Sequence, residues 1–229
     1  MTALSLPSSE ARHHWEAVFH RVYDDVVRFA STGPLAQELF EARADYIKRT
    51  GELFESDAWF ERRIVAFLEW YVLDRSLQSA PDKTPVALYL ERELGQPEDR
   101  VHVEALRQST SALFELLRAR PEHLIVRDLL SGTKYTVHEP QHPFGMESGD
   151  IFEARVVPFE GTLRFSEAVT LHPRSVRRII LKALKKFRKS AAQDRDSRMA
   201  MVHRVTFLTN RCERYRHMEP RQIFAELIS

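Results

Sequence analysis

The hydrophobic repeat of this chain changes period twice, and that constrains its fold more than any other feature. From residue 8 to about 121, apolar residues recur every three or four positions, the repeat of a helix face. Between 122 and 172 they alternate in short β-rich runs, and from Pro173 the helical repeat returns. The pattern predicts a mainly helical α+β protein with three regions: an acidic helical region over 1–121, a small antiparallel β module of about four strands over 122–172, and a basic helical region over 173–229 packed back on the rest. Four short strands cannot shield their own faces, so the module is expected as a curled sheet or barrel set against helices.

Punctuation places the elements. "SSEARHHWEAVFHRVYDDVVRFAST" offers Ser8 or Ser9 as a cap and then Trp15, Val18, Phe19, Val22, Val26 and Phe29 on one side, ending at Gly33 and Pro34. "PLAQELFEARADYIKRT" continues to Gly51. "SDAWFERRIVAFLEWYVLDRSL" sets Trp59, Phe60, Ile64, Phe67, Leu68 and Tyr71 on a broad apolar arc, and Trp59, Phe67 and Trp70 are expected in the core. Thr84 and Pro85 open a short helix, and "QPEDRVHVEALRQSTSALFELLRAR" reads as a longer one stopped by Pro121. In the β module, "HLIVRDLLSGTKYTVHE" is two runs around "SGT", and "GDIFEARVVPFEGTLRF" reads as a hairpin turning at Glu160 and Gly161. Helices are expected again over 173–190, about 195–217 and 220–228.

Charge is segregated along the chain. From Pro173 onward there are 15 Lys or Arg against 5 Asp or Glu, while the formal total is only +1, so residues 1–172 carry −9. Within "HPRSVRRIILKALKKFRKS" there are eight cations and no acid. At about 100° per residue, Val176, Ile179, Ile180, Ala183, Leu184 and Phe187 share one arc, and the cations cover the other. A ridge of Arg174, Arg177, Arg178, Lys182, Lys185, Lys186 and Lys189, continued by Arg195 and Arg198, is the predicted polyanion-binding surface. Its partner would be DNA or RNA, or else an acidic protein; the plainer explanation is a solvated basic face balanced by the acidic N-terminal part.

"FLEWYVLD", "VRDLLSGTKYTVHE" and "GDIFEARVVPFEG" together resemble an uncharacterised group of bacterial proteins, in which an aromatic-rich helical region precedes an RDLL-G type β module. The resemblance spans about residues 56–165 and implies a bacterial cytosolic protein of no established activity. Some relatives in that group carry a cysteine-rich zinc module of the SEC-C type, which this chain, with one cysteine, is not expected to carry, and the resemblance carries over no catalytic residue.

The residues themselves offer little chemistry. A single cysteine, Cys212, rules out an internal disulfide or a cysteine-based zinc site. His138 and His142 flank Glu139 like a metal loop but lack further ligands at a recognised spacing. Glu69 and Asp74 could do acid–base work, yet Arg62, Arg63 and Arg75 nearby suggest ordinary ion pairs. Tyr135, Phe152, Phe159 and Phe165 could stack bases but are better explained as core. No catalytic residue, metal or cofactor is expected. The start of the chain lacks the features of a signal peptide and no apolar run reaches membrane length, so the cytoplasm is the expected location, with no membrane span. The leading expectation is a non-catalytic binding or regulatory protein that meets nucleic acid through its basic C-terminal helix. The alternative is an adaptor for an acidic protein, and an enzyme using the groove between helices and β module comes third.

Overall fold

The computed structural model describes residues 8–57, with side chains from His13, and 59–139, 145–189 and 194–228. The side chains of Ser8 and Ser9, one of which was expected as a cap, are not described, and His142, considered as a ligand, falls outside the described residues. The acidic part folds as α1 (Ser8–Ala30), α2 (Ala36–Thr50), α3 (Phe60–Leu73), α4 (Pro85–Glu91) and α5 (Arg100–Arg107). Local chemistry sets their ends. Gly51, at φ 93°, stops α2 while its N–H reaches the Ile47 carbonyl. Thr84 caps α4, accepting from the Ala87 N–H, and Pro85 opens it.

The strands are β1 (Thr110–Arg120), β2 (His123–Asp128), β3 (Lys134–His138), β4 (Ile151–Phe159), β5 (Thr162–Phe165) and a short β6 (Thr170–Leu171). They form one antiparallel sheet in the order β3-β2-β1-β4-β5, with β6 pairing β4. β5 curls back onto β3, where Arg164 donates to the His138 carbonyl. The curl encloses a core of its own around Phe114, Leu116, Val126, Phe152 and Phe165. The expected hairpin is present: Phe159 pairs with Thr162 across Glu160 (φ 44°) and Gly161 (φ 77°).

Two expectations are corrected. Residues 110–120 form β1, not the second half of a helix, so the sheet begins at Thr110 rather than after 121 and has one more full strand than foreseen. β1 lies between β2 and β4 and is buried on both faces, Phe114 and Leu116 in the sheet core and Leu113 in the helical core. A doubly buried strand has few polar interruptions, so its apolar run fits three-residue spacing as well as alternation. Trp59 is not core: it precedes α3 and is 43% exposed, with the Arg62 guanidinium 4.5 Å from its ring, whereas Phe67 and Trp70 are buried as expected.

The basic part supplies α6 (Arg177–Phe187), α7 (Arg195–Arg214) and α8 (Pro220–Phe224). Val176, Ile180, Leu184, Val202, Val205, Leu208 and Phe224 enter the same core as α1–α5 and the outer face of β1 and β4. No helix among the described residues is long and apolar enough to cross a membrane.

Candidate functional site

The nine cations expected to bind polyanions divide in two. Arg178, Lys182, Lys185, Lys186 and Lys189 are exposed, and no acid among the described residues forms an ion pair with them. Arg178, Lys182 and Lys185 fall within an arc of about 60° on α6, since successive residues turn by about 100°, and Lys189 follows in the turn just past its end. The opposite face anchors the helix through Val176, Ile180, Ala183 and Leu184. Lys185 and Lys186 also stand in the last turn, where the helix dipole favours positive charge.

The other four keep partly or largely exposed side chains but pair with buried carboxylates. Arg174 grips Asp150 with Nε (2.6 Å) and Nη2 (2.8 Å) and also reaches Glu147. Burial works against the Asp150 carboxylate, but that fork and the Glu147 N–H hold it below its usual range. Arg177 pairs with Glu115 and donates to the Gly149 carbonyl. Arg195 donates to Asp74 and to the Leu73 carbonyl, and Arg198 donates to Asp128. The carboxylates they meet belong to the acidic part of the chain, to the sheet or to the loop before β4.

Beneath α7 lies a buried ionic centre. Arg155, on β4, donates from Nε to Glu69 (3.2 Å), from Nη1 to Ser109 (2.9 Å) and from Nη2 to Asp74. Glu69 also accepts from Ser166 at 3.0 Å, while its Oε1 has no protein partner. Burial pushes Glu69 up to about 7 even though Arg155 pulls the other way. Glu153, hydrogen-bonded by Thr206, is likewise raised by burial. His203 sits edge-on to the Tyr46 and Trp70 rings and is pushed down to about 4, first by burial and then by the Arg49 charge. Perturbed groups of this kind mark many active sites. Here Glu69, Glu153 and His203 border a space of about 10 Å³, room for about one water. The arrangement is a polar joint between α3, β4 and α7.

Two open clefts lie among the described residues. One, of about 230 Å³, lies between the start of β1 and the first turn of α7; the other, of about 290 Å³, lies between Trp59 and the end of α7. Phe152, Phe159 and Phe165 are buried and Tyr135 is half-buried, so the β-module aromatics pack rather than stack. Cys212 is half-buried in α7 and burial raises its thiol to about 11, which removes thiolate character. Among the described residues no group of three His, Cys, Asp or Glu is placed to hold a metal ion.

The expected partners of Glu69 and Asp74 are also corrected. Arg75 pairs with Glu38 and Asp45, Arg63 with Asp57, and Arg62 lies on Trp59; the partner of both acids is Arg155. The signal for it was Glu153 and Arg155 at alternate positions of "IFEARVVPF", two charges on one face of an otherwise apolar strand.

A family profile described as "Family of unknown function (DUF7986)" matches residues 39–213, which takes in α3, the sheet, α6 and nearly all of α7. No curated protein and no solved structure matches.

Proposed function

The chain belongs to the DUF7986 family of unknown function, and from its own geometry we propose that it is a non-catalytic binding protein that holds a nucleic-acid backbone on the exposed face of α6. One observation carries this reading: Arg178, Lys182, Lys185, Lys186 and Lys189 line one side of a helix anchored in the core, with no acidic partner among the described residues. Cations so close together gain by displacing the counterions condensed on a phosphate chain. From Arg178 to Lys186 the stripe runs about 12 Å at 1.5 Å per residue, enough to meet successive phosphates, and Lys189 follows in the turn beyond.

Binding of this kind falls log-linearly with salt and has slight sequence preference. The triple variant Lys182→Gln/Lys185→Gln/Lys189→Gln leaves Val176, Ile180 and Leu184 in place and keeps the fold. On duplex DNA, fluorescence anisotropy across a salt series should show the slope reduced by roughly two to three, about 0.9 per lost contact. If the wild-type protein has no DNA or RNA affinity at moderate salt, and the triple variant instead loses capture of an acidic protein, the adaptor reading replaces this one.

A further inference from the structure

We propose that the outer face of the sheet at β1, β2 and β3 is a second surface for a nucleic-acid backbone, adjoining the α6 stripe, so that one duplex lies across both. Register decides which side chains share this face. Glu115 stands opposite Arg127 and Leu116 opposite Val126, but Arg118 then meets Ile125 and Arg120 meets His123. Leu117 is the extra residue of a bulge. It shifts the alternation by one and brings Arg118 and Arg120 onto the side of Glu115 and Arg127 instead of the side that lines the sheet core. β3 continues the face, with Lys134 opposite Arg127 and Thr136 opposite Ile125, while Tyr135 and Val137 pack on the sheet core. Helices cover this side of the sheet at Leu113 and Ile151. Past Glu115, Arg118, Arg120, Lys134 and Thr136 are exposed, and the Arg127 side chain is 42% exposed.

Charge on this face is unbalanced. Among the residues that share it, Glu115 is the one acid, and it already serves both Arg127 (3.1 Å) and Arg177 at the start of α6. Arg118, Arg120 and Lys134 have no acidic partner among the described residues, and Glu122, in the turn after β1, forms no ion pair with them. Arg127 and Lys134 stand directly opposite each other on neighbouring strands, a like-charge placement that costs stability until an anion lies over it. Phosphates relieve that repulsion and release their condensed counterions in doing so. No Phe, Tyr or Trp lies on the face, so it offers bases no stacking platform and meets the backbone alone. Through Arg127 and Arg177, Glu115 joins the sheet face to α6, whose stripe begins one residue later at Arg178.

The ligand class rests on the α6 reading, so the two surfaces are tested separately. Anisotropy titrations of the full chain with a short labelled DNA duplex across a salt series give one slope per variant. Arg118→Gln/Arg120→Gln/Lys134→Gln breaks no ion pair among the described residues. It should keep the wild-type urea midpoint and lower the slope by roughly two to three, about 0.9 per lost phosphate contact. Joined to Lys182→Gln/Lys185→Gln/Lys189→Gln, it should lower the slope by the sum of the two effects. Arg43→Gln/Lys48→Gln, exposed on α2 and outside both surfaces, should leave the slope unchanged. Should the triple sheet variant fail to fold, Arg120→Gln alone, at the end of β1, still decides with a change of about 0.9. An unchanged slope in the sheet variant, where the α6 variant lowers it, overturns this inference and leaves the α6 reading standing. A lowered slope in the sheet variant alone supports the sheet face and removes α6. A slope lowered as much by Arg43→Gln/Lys48→Gln reports net charge and overturns the inference. Capture of an acidic protein with no duplex affinity in the wild type overturns it together with the α6 reading.

Discussion

Arg155 is 2% exposed and serves two buried carboxylates and a serine hydroxyl at once. Its replacement by Met would leave Asp74 with Arg195 alone and Glu69 with Ser166 alone, and removing one partner of a buried ion pair costs about 3–5 kcal/mol. Urea unfolding of Arg155→Met should show a loss of that order; a loss under about 1 kcal/mol would mean that the joint adds nothing to stability. The tryptophans give a matched contrast. Trp70 is 6% exposed and packs on Tyr46 and His203, so Trp70→Ala should cost about 3–5 kcal/mol, whereas Trp59→Ala removes a half-exposed ring and should cost less than about 1 kcal/mol. Spacing could not separate the two, since both continue one apolar arc of "AWFERRIVAFLEW". What separates them is that Trp59 precedes the first turn of α3, where the arc no longer faces the core and a guanidinium covers the ring instead. Arg155 was equally hidden: it stands 86 residues from Glu69, and local neighbours supplied a sufficient but mistaken partner.

Elements with a solvent face or a turn signal beside them were legible, whereas β1, whose middle is buried on both faces and which follows no turn signal, was not. α1, α3, α4 and α6 each carry a polar side that reports their period, and the β4–β5 hairpin announces itself through Glu160 and Gly161. At Gly161 an added Cβ meets nothing, so Gly161→Ala measures the cost of the left-handed backbone alone. That cost is about 1–2 kcal/mol and should appear as a lowered urea midpoint with an unchanged slope. A neutral result would mean that the turn relaxes to another type. β1 gave no such report because both of its faces are buried, and its start is marked only by Gln108, Ser109 and Thr110. The candidate site was half legible for a related reason. A helical wheel sorts α6 into apolar and basic sides, but it cannot say that Arg174 and Arg177 at its start reach Asp150 and Glu115, which lie in or beside strands.

Across the whole molecule, the opposed charges of the two chain regions meet inside the fold: Asp74, Glu115, Asp128 and Asp150 each receive an arginine from beyond Pro173. Acid should therefore loosen the attachment of the basic part, and the buried groups set where. His172 is pushed by burial down to about 3, and His203 down to about 4, from 6.5 when unfolded. Between pH 6.5 and 4 the unfolded chain binds the extra proton at each, so both drain stability as pH falls. Glu69 acts in the opposite sense. Its folded value of about 7 lies above the unfolded 4.5, so its contribution is fully present below 4.5 and is lost as pH rises through 7. Glu153, also raised, adds in the same direction. From pH 6.5 to 4.5 the two pairs oppose each other and stability should change little. Below 4.5 the glutamates no longer compensate, while the histidines continue and Glu38 and Asp150, both held below their usual range, begin to protonate on unfolding. Stability should then fall steeply. Glu69→Gln isolates one contributor, because Gln binds no proton in either state. Urea unfolding at pH 4.5 and pH 7.5 should show the variant gaining on the wild type, between those two values, by on the order of 3 kcal/mol, since 2.5 pKa units are worth 1.36 kcal/mol each. A wild-type-minus-variant difference that stays the same at both pH values would mean that Glu69 remains ionised beside Arg155, and that the buried centre is a plain ion pair.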